Sequence, residues 1–152
     1  MIILGIDPGA VSGAYAMLRP DGSGWPDDLP VVNGQVDAAA LSLIVHENHV
    51  DTAVVELVSS MPKQGVASTF KFGVAYGIIR GVLAANGVPT VFVTPSKWKG
   101  HFRLDRDKEK SRALAIQRFP DMASRFSLKR HQNRAEALLI AQYYIETQRG
   151  MQ

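Results

Sequence analysis

The amino-acid sequence predicts an α/β fold in which a mixed β-sheet is flanked by helices. Two observations support this prediction: apolar strands joined by a tight turn open the chain, and later apolar strands alternate with helical segments. A hairpin followed by alternating strands and helices gives a sheet with both antiparallel and parallel pairs. At 152 residues the chain can bury a sizeable core, and we expect residues 1–152 to form a single domain.

The first half of the chain is predicted to begin with a β-hairpin. Pro8 fixes its φ angle and Gly9 accepts unusual backbone angles, so both favour a tight turn after the first strand. Asp37 precedes apolar residues at helical spacing, as an N-cap does. The predicted elements in this half are strands at 2–6, about 12–18 and 31–33, a loop at 21–30, and a helix from Asp37 to about His49.

The second half of the chain is predicted to alternate strands with helices. Residues 52–57 are almost all apolar, which is the pattern of a central strand buried on both faces. The predicted elements are a strand at 52–57, a loop at 59–64, a long helix to about Asn86, a strand at 88–93, an irregular basic connection at 94–106, a helix from Asp107 to about Phe119, and a last helix at 131–148.

The long helix carries Gly73, Gly77 and Gly81 at intervals of four residues. A glycine inside a helix costs about 0.5–1 kcal/mol relative to alanine. Three of them on one face therefore indicate that another backbone approaches closely. That backbone belongs either to the protein's own sheet or to a helix of a second subunit.

The composition excludes several classes of chemistry. The chain has no Cys, which excludes disulfides, thiolate catalysis and Cys-based zinc sites. No apolar run approaches the roughly 20 residues that a membrane span needs, and the opening Met-Ile-Ile-Leu lacks the basic region of a signal peptide. We therefore expect a cytoplasmic protein with no membrane partner.

Charge is segregated along the chain. Residues 1–62 hold eight acids and one base, a balance of −7, whereas residues 94–134 hold twelve bases and four acids, a balance of +8. Such segregation is typical of contact with a polyanion, although a solvated basic helix would give the same count. A basic segment beside a group of carboxylates is what a metal-dependent nuclease requires.

Three acidic residues are placed to meet at one site. Asp7 ends the first strand, Glu56 lies at the end of the apolar strand, and Glu136 lies among apolar residues near the start of the last helix. An unpaired buried carboxylate is costly, so we expect a partner such as a hard metal ion. The alternatives are a simple turn for Asp7 and an exposed strand end for Glu56.

Two residues are candidates for a fourth metal ligand. Asn133 lies one helical turn before Glu136 on the same side of the last helix. His131 stands at the entrance of that helix, where it is a metal ligand, a general base, or simply a capping or surface residue. Two strand-end acids that meet a helix-borne acid predict a site for two divalent cations, which together can hydrolyse a phosphodiester.

Four motifs, in this order and along essentially the whole chain, resemble RuvC-type Holliday junction resolvases, most closely their small phage-encoded branch. The motifs are Asp7-Pro-Gly, the strand residue Glu56, Ser68-Thr-Phe-Lys-Phe-Gly-Val-Ala-Tyr-Gly and Asn133-Arg-Ala-Glu-Ala-Leu-Leu-Ile-Ala. The resemblance implies an RNase H-like fold with a five-stranded mixed sheet flanked by helices. It also implies a homodimer that cuts opposing strands of a four-way DNA junction with Mg²⁺ or Mn²⁺, two ions per active site.

The resemblance also assigns residues. Asp7, Glu56 and Glu136 match the metal-binding acids. The family has Asp or His shortly before the last acid, whereas this chain has His131 followed by Gln132. Either His131 takes over that role, or Asn133 supplies a weaker oxygen ligand.

The family's lysines near the active site are matched by Lys99 and Lys110, with Lys97 and Lys108 as close alternatives. An ammonium at these places would hold the scissile phosphate and offset its developing charge. Catalytic roles are therefore predicted for Asp7, Glu56, His131, Glu136, Lys99 and Lys110.

Further DNA contacts are predicted around the site. The bacterial enzymes have a wedging aromatic in the loop after the strand Glu, but residues 59–64 contain none, so Met61 is the candidate wedge. Trp98 either stacks on DNA or anchors the core. The predicted DNA-contacting residues are Met61, Lys63, Lys97, Trp98, Lys99, Arg103, Lys108, Lys110, Arg130 and Arg134.

The predicted function is that of a crossover junction endodeoxyribonuclease, which resolves Holliday junctions or other branched DNA by paired nicking. The protein would act in the bacterial cytosol or in a phage-infected host cell. Two alternatives remain: a junction-binding protein with weak or no cleavage, and another RNase H-like nuclease acting on flaps or RNA.

Overall fold

The computed structural model describes residues 1–10, 13–58 and 65–151 and confirms the mixed α/β fold. Its strands form a five-stranded sheet and a separate two-stranded ribbon. The strands are β1 (Ile3–Asp7), β2 (Ala14–Leu18), β3 (Gly24–Asp28), β4 (Val31–Val32), β5 (Gln35–Val36), β6 (Thr52–Glu56) and β7 (Thr90–Val93).

The main sheet has the order β3-β2-β1-β6-β7 and is mixed, as the sequence predicted. The hairpin β1–β2 and the pair β2–β3 are antiparallel, whereas β6 is parallel to both β1 and β7. In the parallel pair, Ile6 lies opposite Val55. Asp7 and Glu56, which follow these two residues, therefore end neighbouring strands at the same edge of the sheet.

Helices cover the sheet. Asp37 caps the first of them, as predicted, by accepting a hydrogen bond of 3.0 Å from the backbone N–H of Ala40. The helices are α1 (Ala38–Glu47), α2 (Val66–Ala85), α3 (Pro95–His101), α4 (Lys108–Arg118) and α5 (Gln132–Arg149), with short 3₁₀ segments at Pro120–Phe126 and Lys129–His131.

The two faces of the sheet carry separate hydrophobic cores. Because successive strand residues point to opposite faces, Leu4 and Ile6 pack under α1 and α2, whereas Ile3 belongs to the core under α5. Alternation places Asp7 on the same face as Ile3. The carboxylate at the end of β1 therefore points towards α5.

Gly5 lets α5 pack unusually close to β1. A Cβ atom at this position would lie only 2.1 Å from the carbonyl oxygen of Ala137 and 2.9 Å from the backbone nitrogen of Ala141. No larger residue fits at such distances. This contact brings the start of α5, and with it Glu136, against the strand that ends in Asp7.

Two segments differ from the prediction. The predicted loop at 21–30 contains β3, which is an edge strand, and an edge strand tolerates Pro26 because a missing N–H there breaks no interior ladder. The glycines and prolines were therefore a misleading loop signal. The connection predicted as irregular at 94–106 contains α3, which begins at Pro95, a favoured first helical residue.

The exposed side of α2 overturns one reading of its glycines. Cβ atoms at Gly73, Gly77 and Gly81 would meet nothing within 4 Å, so these glycines do not serve tight packing on the protein's own sheet. That side of the helix also carries Phe70, which is 72% exposed. The helix attaches to the sheet through its opposite side, which includes Ile79.

Among the described residues, α2, with 20 residues, is the one helix long and apolar enough to cross a membrane by length and composition. It is not an uninterrupted apolar run, because Lys71 and Arg80 lie within it. Its residues Ala75, Ile79 and Leu83 nevertheless belong to the same core cluster as Leu4 and Ile6 of β1. These contacts make α2 part of the cover of the sheet.

Candidate active site

Three carboxylates meet where β1, β6 and α5 converge. Asp7 ends β1, Glu56 ends β6 and Glu136 lies in the first turns of α5. The side chains of Asp7 and Glu136 are almost fully buried, with exposures of 6% and 2%. Carboxylates are rarely buried without compensating charge, so this edge of the sheet is the strongest candidate for a functional site.

Lys108, the first residue of α4, lies between two of the carboxylates and the amide of Asn133. Its Nζ atom lies 3.0 Å from Oε2 of Glu136 and 3.8 Å from Oδ2 of Asp7. The same ammonium donates a hydrogen bond of 2.8 Å to Oδ1 of Asn133. One cation is thus shared by three oxygen atoms of the site.

Glu136 has two further partners. The ammonium of Lys99 on α3 lies 3.2 Å from its Oε1 atom, and the hydroxyl of buried Ser111 donates a hydrogen bond of 3.2 Å to the same oxygen. Two ammonium groups and one hydroxyl therefore compensate the buried charge of Glu136.

Glu56 is held by an aromatic side chain. The indole Nε1–H of Trp98 donates a hydrogen bond of 2.7 Å to Oε2 of Glu56. Because Trp98 is fully buried, it is a core anchor and does not stack on DNA. The prediction of a DNA contact at Trp98 was therefore wrong, and its role is to orient a carboxylate of the site.

Burial raises the pKa of two of these acids. The pKa of Asp7 is held well above its usual value by desolvation, against the opposing effect of Lys108. Desolvation also raises the pKa of Glu56, although the hydrogen bond from Trp98 favours the charged form. Burial therefore destabilises the charged form of both carboxylates, and a bound cation would stabilise that form again.

Burial would lower the pKa of Lys108, but Asp7 and Glu136 outweigh it and raise that pKa above its usual value. The ammonium therefore stays charged at neutral pH. The site balances carboxylates against lysines, as the segregation of charge along the chain led us to expect.

The fit of a divalent metal ion can be judged from the donors. Within residues 1–10, 13–58 and 65–151, no three His, Asp or Glu side chains are grouped so that they could hold one ion as they stand. However, Asp7 lies at the same edge of the sheet as the other acids, and its Oδ2 atom is buried without a hydrogen-bond partner. A buried carboxylate oxygen that lacks a hydrogen bond, and has an ammonium only at 3.8 Å, fits a hard cation when further carboxylates lie beside it.

Of the two candidates for a fourth ligand, Asn133 is at the site and His131 is not. The amide oxygen of Asn133 shares Lys108 with Glu136. The buried ring of His131 instead accepts a hydrogen bond of 3.3 Å at Nδ1 from the backbone N–H of Leu128. Burial, assisted by Arg134 and Arg130, lowers the pKa of His131, so it serves as a neutral residue that organises the entrance of α5.

Two cations predicted to contact DNA or phosphate are engaged elsewhere. Lys110 forms an ion pair with Asp105 at the surface, because its position on α4 points away from the carboxylates. Arg134 donates two hydrogen bonds of 2.8 Å to the carboxylate of Asp28 at the end of β3. Lys108 therefore replaces Lys110 at the site, and Arg134 is a structural residue.

The remaining residues predicted to contact DNA fall into three groups: exposed cations, a lysine at the carboxylates, and residues outside the described part of the chain. Lys97, Arg103 and Arg130 are exposed and, among the described residues, form no ion pair. Lys99 is at the carboxylates, as predicted. Met61 and Lys63 lie outside the described residues, so their assignment stays a prediction.

Sequence reasoning missed Ser111 and underrated Lys108, although a signal was present. Residues three apart share a helix face, whereas residues two apart do not. With Asp107 as the cap of α4, Lys108 and Ser111 fall on one face and Lys110 on another. Ser111 and Ala115, small residues four positions apart among charged neighbours, marked the buried face of α4.

The structure resembles solved Holliday junction resolvases over nearly its full length. RuvC of Thermus thermophilus, in complex with a Holliday junction substrate, matches with a TM-score of 0.70 and 17% identity over 99% of this chain and 97% of that one. The fowlpox virus Holliday junction resolvase matches with a TM-score of 0.64 and 14% identity over 97% and 99%. The yeast mitochondrial Holliday junction resolvase matches with a TM-score of 0.60 and 14% identity over 97% and 80%.

Sequence comparison adds no closer relative. No protein-family model matches the chain, and no curated protein matches it by sequence. The fold is nevertheless that of the RuvC-type Holliday junction resolvases, the family that the four motifs resemble. The resemblance drawn from the motifs is therefore confirmed at the level of the fold.

Proposed function

We propose that this protein is a metal-dependent, structure-selective endonuclease that resolves Holliday junctions by paired nicking. The observation that carries the proposal is the meeting of Asp7, Glu56 and Glu136 at one edge of a resolvase-like sheet. Buried carboxylates compensated by Lys99 and Lys108 are costly to maintain without a function that needs them. The resemblance of the fold to junction resolvases supports branched DNA as the substrate.

Asp7, Glu56, Glu136 and Asn133 would hold two Mg²⁺ ions, for which Mn²⁺ is an alternative. When bound, such a pair activates water on one side of a phosphodiester and stabilises the oxygen that leaves on the other. The residues of the chain supply the rest. Trp98 orients Glu56, and the ammoniums of Lys99 and Lys108 attract the scissile phosphate and offset its growing negative charge.

The basic segment 94–134 would supply general affinity for the DNA backbone. Its exposed cations Lys97, Arg103 and Arg130 are available for phosphate contacts, because none of them pairs with a described acid. Affinity from phosphate contacts falls steeply with salt, since binding releases condensed counterions.

Cleavage of two opposing strands requires two active sites, which supports a homodimer. The exposed side of α2 is the surface that we assign to the second copy. It presents Phe70 together with Gly73, Gly77 and Gly81, and small residues at this spacing let two helices approach closely. We refer to this surface, residues 70, 73, 77 and 81, as the glycine face.

A junction-binding protein with weak or no cleavage is the second candidate. Two observations favour it. Lys108 stands between Asp7 and Glu136, and within the described part of the chain no three acidic or His side chains form a ready metal site. Origin in the phage-encoded branch, with action in the cytosol of a bacterium or an infected host, is supported by the motif around Asn133 and stays a prediction.

The decisive experiment is cleavage of an immobile four-way junction and of a matched linear duplex, each with Mg²⁺, with Mn²⁺ and with EDTA. Glu56→Gln, which keeps the shape but removes the charge, is compared with Glu47→Gln, an exposed residue at the end of α1. Paired nicks in the junction alone, lost in EDTA and in Glu56→Gln but kept in Glu47→Gln, are expected. Tight junction binding without cleavage in either metal would favour the second candidate.

A further inference from the structure

Lys108 occupies the place that a divalent cation would need. Its ammonium contacts one oxygen each of Glu136, Asp7 and Asn133, at 3.0, 3.8 and 2.8 Å. Carboxylate and amide oxygens are also the donors that Mg²⁺ and Mn²⁺ take from proteins. The same oxygens therefore serve either the ammonium or the metal ion.

An ammonium and a divalent ion cannot share these oxygens. Two positive charges a few ångströms apart in a buried site repel each other strongly, because the low dielectric screens them little. When an ion binds to Asp7 and Glu136, the ammonium of Lys108 has to move away.

The side chain of Lys108 has easier access to solvent than that of Lys99. The side chain of Lys108 is 42% exposed, and that of Lys99 is 17% exposed. Lys108 is also the first residue of α4, and its long flexible side chain can reach solvent without any change in the backbone. Lys99 can therefore keep its contact with Glu136 while Lys108 leaves.

We propose that Lys108 is a tethered counterion: it neutralises the acidic site in the metal-free protein and is displaced by the incoming divalent ion. This inference rests on the proposed metal-dependent function. It adds that the ammonium of Lys108 and the metal ion compete for the same oxygen atoms. Each ion bound requires the contacts of Lys108 to be broken, so the apparent metal affinity of the native site is lower than that of the same acids without the lysine.

The first test compares Lys108→Met with Lys110→Met by calorimetric titration with Mn²⁺. Lys110 is a matched control, because it lies on the same helix and pairs with Asp105 away from the site. We expect Lys108→Met to bind Mn²⁺ about tenfold to hundredfold more tightly, which is the scale of the charge-assisted hydrogen bonds removed. Lys110→Met is expected to bind Mn²⁺ like the unmodified protein.

The outcomes separate this inference from the proposed function. Unmodified protein that binds Mn²⁺, with equal or weaker binding in Lys108→Met, would overturn the inference and leave the proposed function standing. Binding in Lys108→Met alone would support the competition and count against metal-dependent cleavage by the native chain. No binding in either protein would overturn both.

A second test needs no substitution, so it does not depend on the folding of a variant. The rate at which an amine-acylating reagent modifies each lysine is measured by mass spectrometry with and without saturating Mn²⁺. Displacement predicts that Lys108 reacts several-fold faster when Mn²⁺ is bound, while the rate at Lys110 is unchanged. An unchanged rate at Lys108 in a protein that binds Mn²⁺ would overturn the inference.

Discussion

The indole of Trp98 and the carboxylate of Glu56 are joined by a hydrogen bond of 2.7 Å. Trp98 is fully buried under α5, whereas Glu56 ends a strand at the edge of the sheet. The hydrogen bond uses one of the two carboxylate oxygens and fixes the direction of the other. A core residue thus positions the carboxylate that we propose as a metal ligand.

We predict that Trp98→Phe slows cleavage about tenfold through kcat, with little change in KM for the junction, since binding to phosphates does not involve this contact. The hydrogen bond opposes the rise in the pKa of Glu56 that burial causes. Its loss should raise that pKa further, so the acidic limb of the pH–rate profile should move to higher pH. Steady-state kinetics across pH measure both effects.

The control for this prediction is Trp25→Phe, which removes an indole from β3 and leaves Glu56 untouched. Its pH–rate profile should coincide with that of the unmodified enzyme. A Trp98→Phe enzyme that lost stability but kept the original acidic limb would show that the indole only fills the core.

The contact between Gly5 and Ala137 leads to a second prediction. Gly5→Ala would place a methyl group 2.1 Å from the carbonyl oxygen of Ala137, so α5 must shift. Overpacking of this kind costs about 1–3 kcal/mol of unfolding free energy. Urea denaturation measures that loss, and because Glu136 moves with α5, we also expect weaker Mn²⁺ binding.

Gly100→Ala is the matched control. A Cβ at Gly100 in α3 meets nothing within 4 Å, so the substitution should stabilise the protein by about 0.5–1 kcal/mol through helix propensity. A Gly5→Ala protein as stable as the native one would mean that α5 can retreat from β1 at no cost.

Much of this fold follows from the sequence because local signals agree with the global structure. The caps Asp37 and Asp107 and the apolar run of β6 identify their elements directly. The signal failed at β3, since the Gly and Pro residues typical of a loop are also tolerated on an edge strand. Whether such residues form a loop or an edge strand depends on pairing with β2, which the composition of the segment alone does not reveal.

The site was partly predictable for a similar reason. Strand ends at one edge of a sheet are brought together by topology, so Asp7 and Glu56 follow from the order of the elements. Which lysine reaches Asp7 and Glu136 depends on the direction of a side chain on α4. The prediction preferred Lys110, with Lys108 as the alternative, and the structure places Lys108 there. The role of Gly5 appears only when α5 is seen against β1.

The bidentate pair between Asp28 and Arg134 should make stability depend on pH. The hydrogen bonds from Arg134 lower the pKa of Asp28 below its usual value, so the native state favours the charged form. The contribution is therefore fully present above the unfolded-state pKa of roughly 4 and is lost as pH falls through the lower native value.

Asp28→Asn should lower the unfolding free energy by about 0.5–1 kcal/mol at pH 7, the range of surface pairs, because the carboxylate is 58% exposed. Denaturation by urea from pH 8 to pH 3 should show a constant difference that shrinks below about pH 4. Asp27→Asn keeps both hydrogen bonds of the pair and should lose less. A difference that persisted at pH 3 would mean that the side-chain amide disrupts packing instead.

The glycine face of α2 predicts how two copies would meet in the proposed homodimer. Gly77→Leu adds a side chain where the protomer offers open space, so the protomer should fold with at least its native stability. Between two closely packed helices the same side chain would be overpacked by about 1–3 kcal/mol, which weakens dimerisation about tenfold to hundredfold. Sedimentation equilibrium measures this change.

Gly100→Leu is the control for the glycine face, because it adds the same side chain at open space on α3. Only Gly77→Leu should also separate the two nicks on a junction, since a monomer cuts one strand at a time. A Gly77→Leu protein that sediments as the native dimer would place the contact between subunits on another surface.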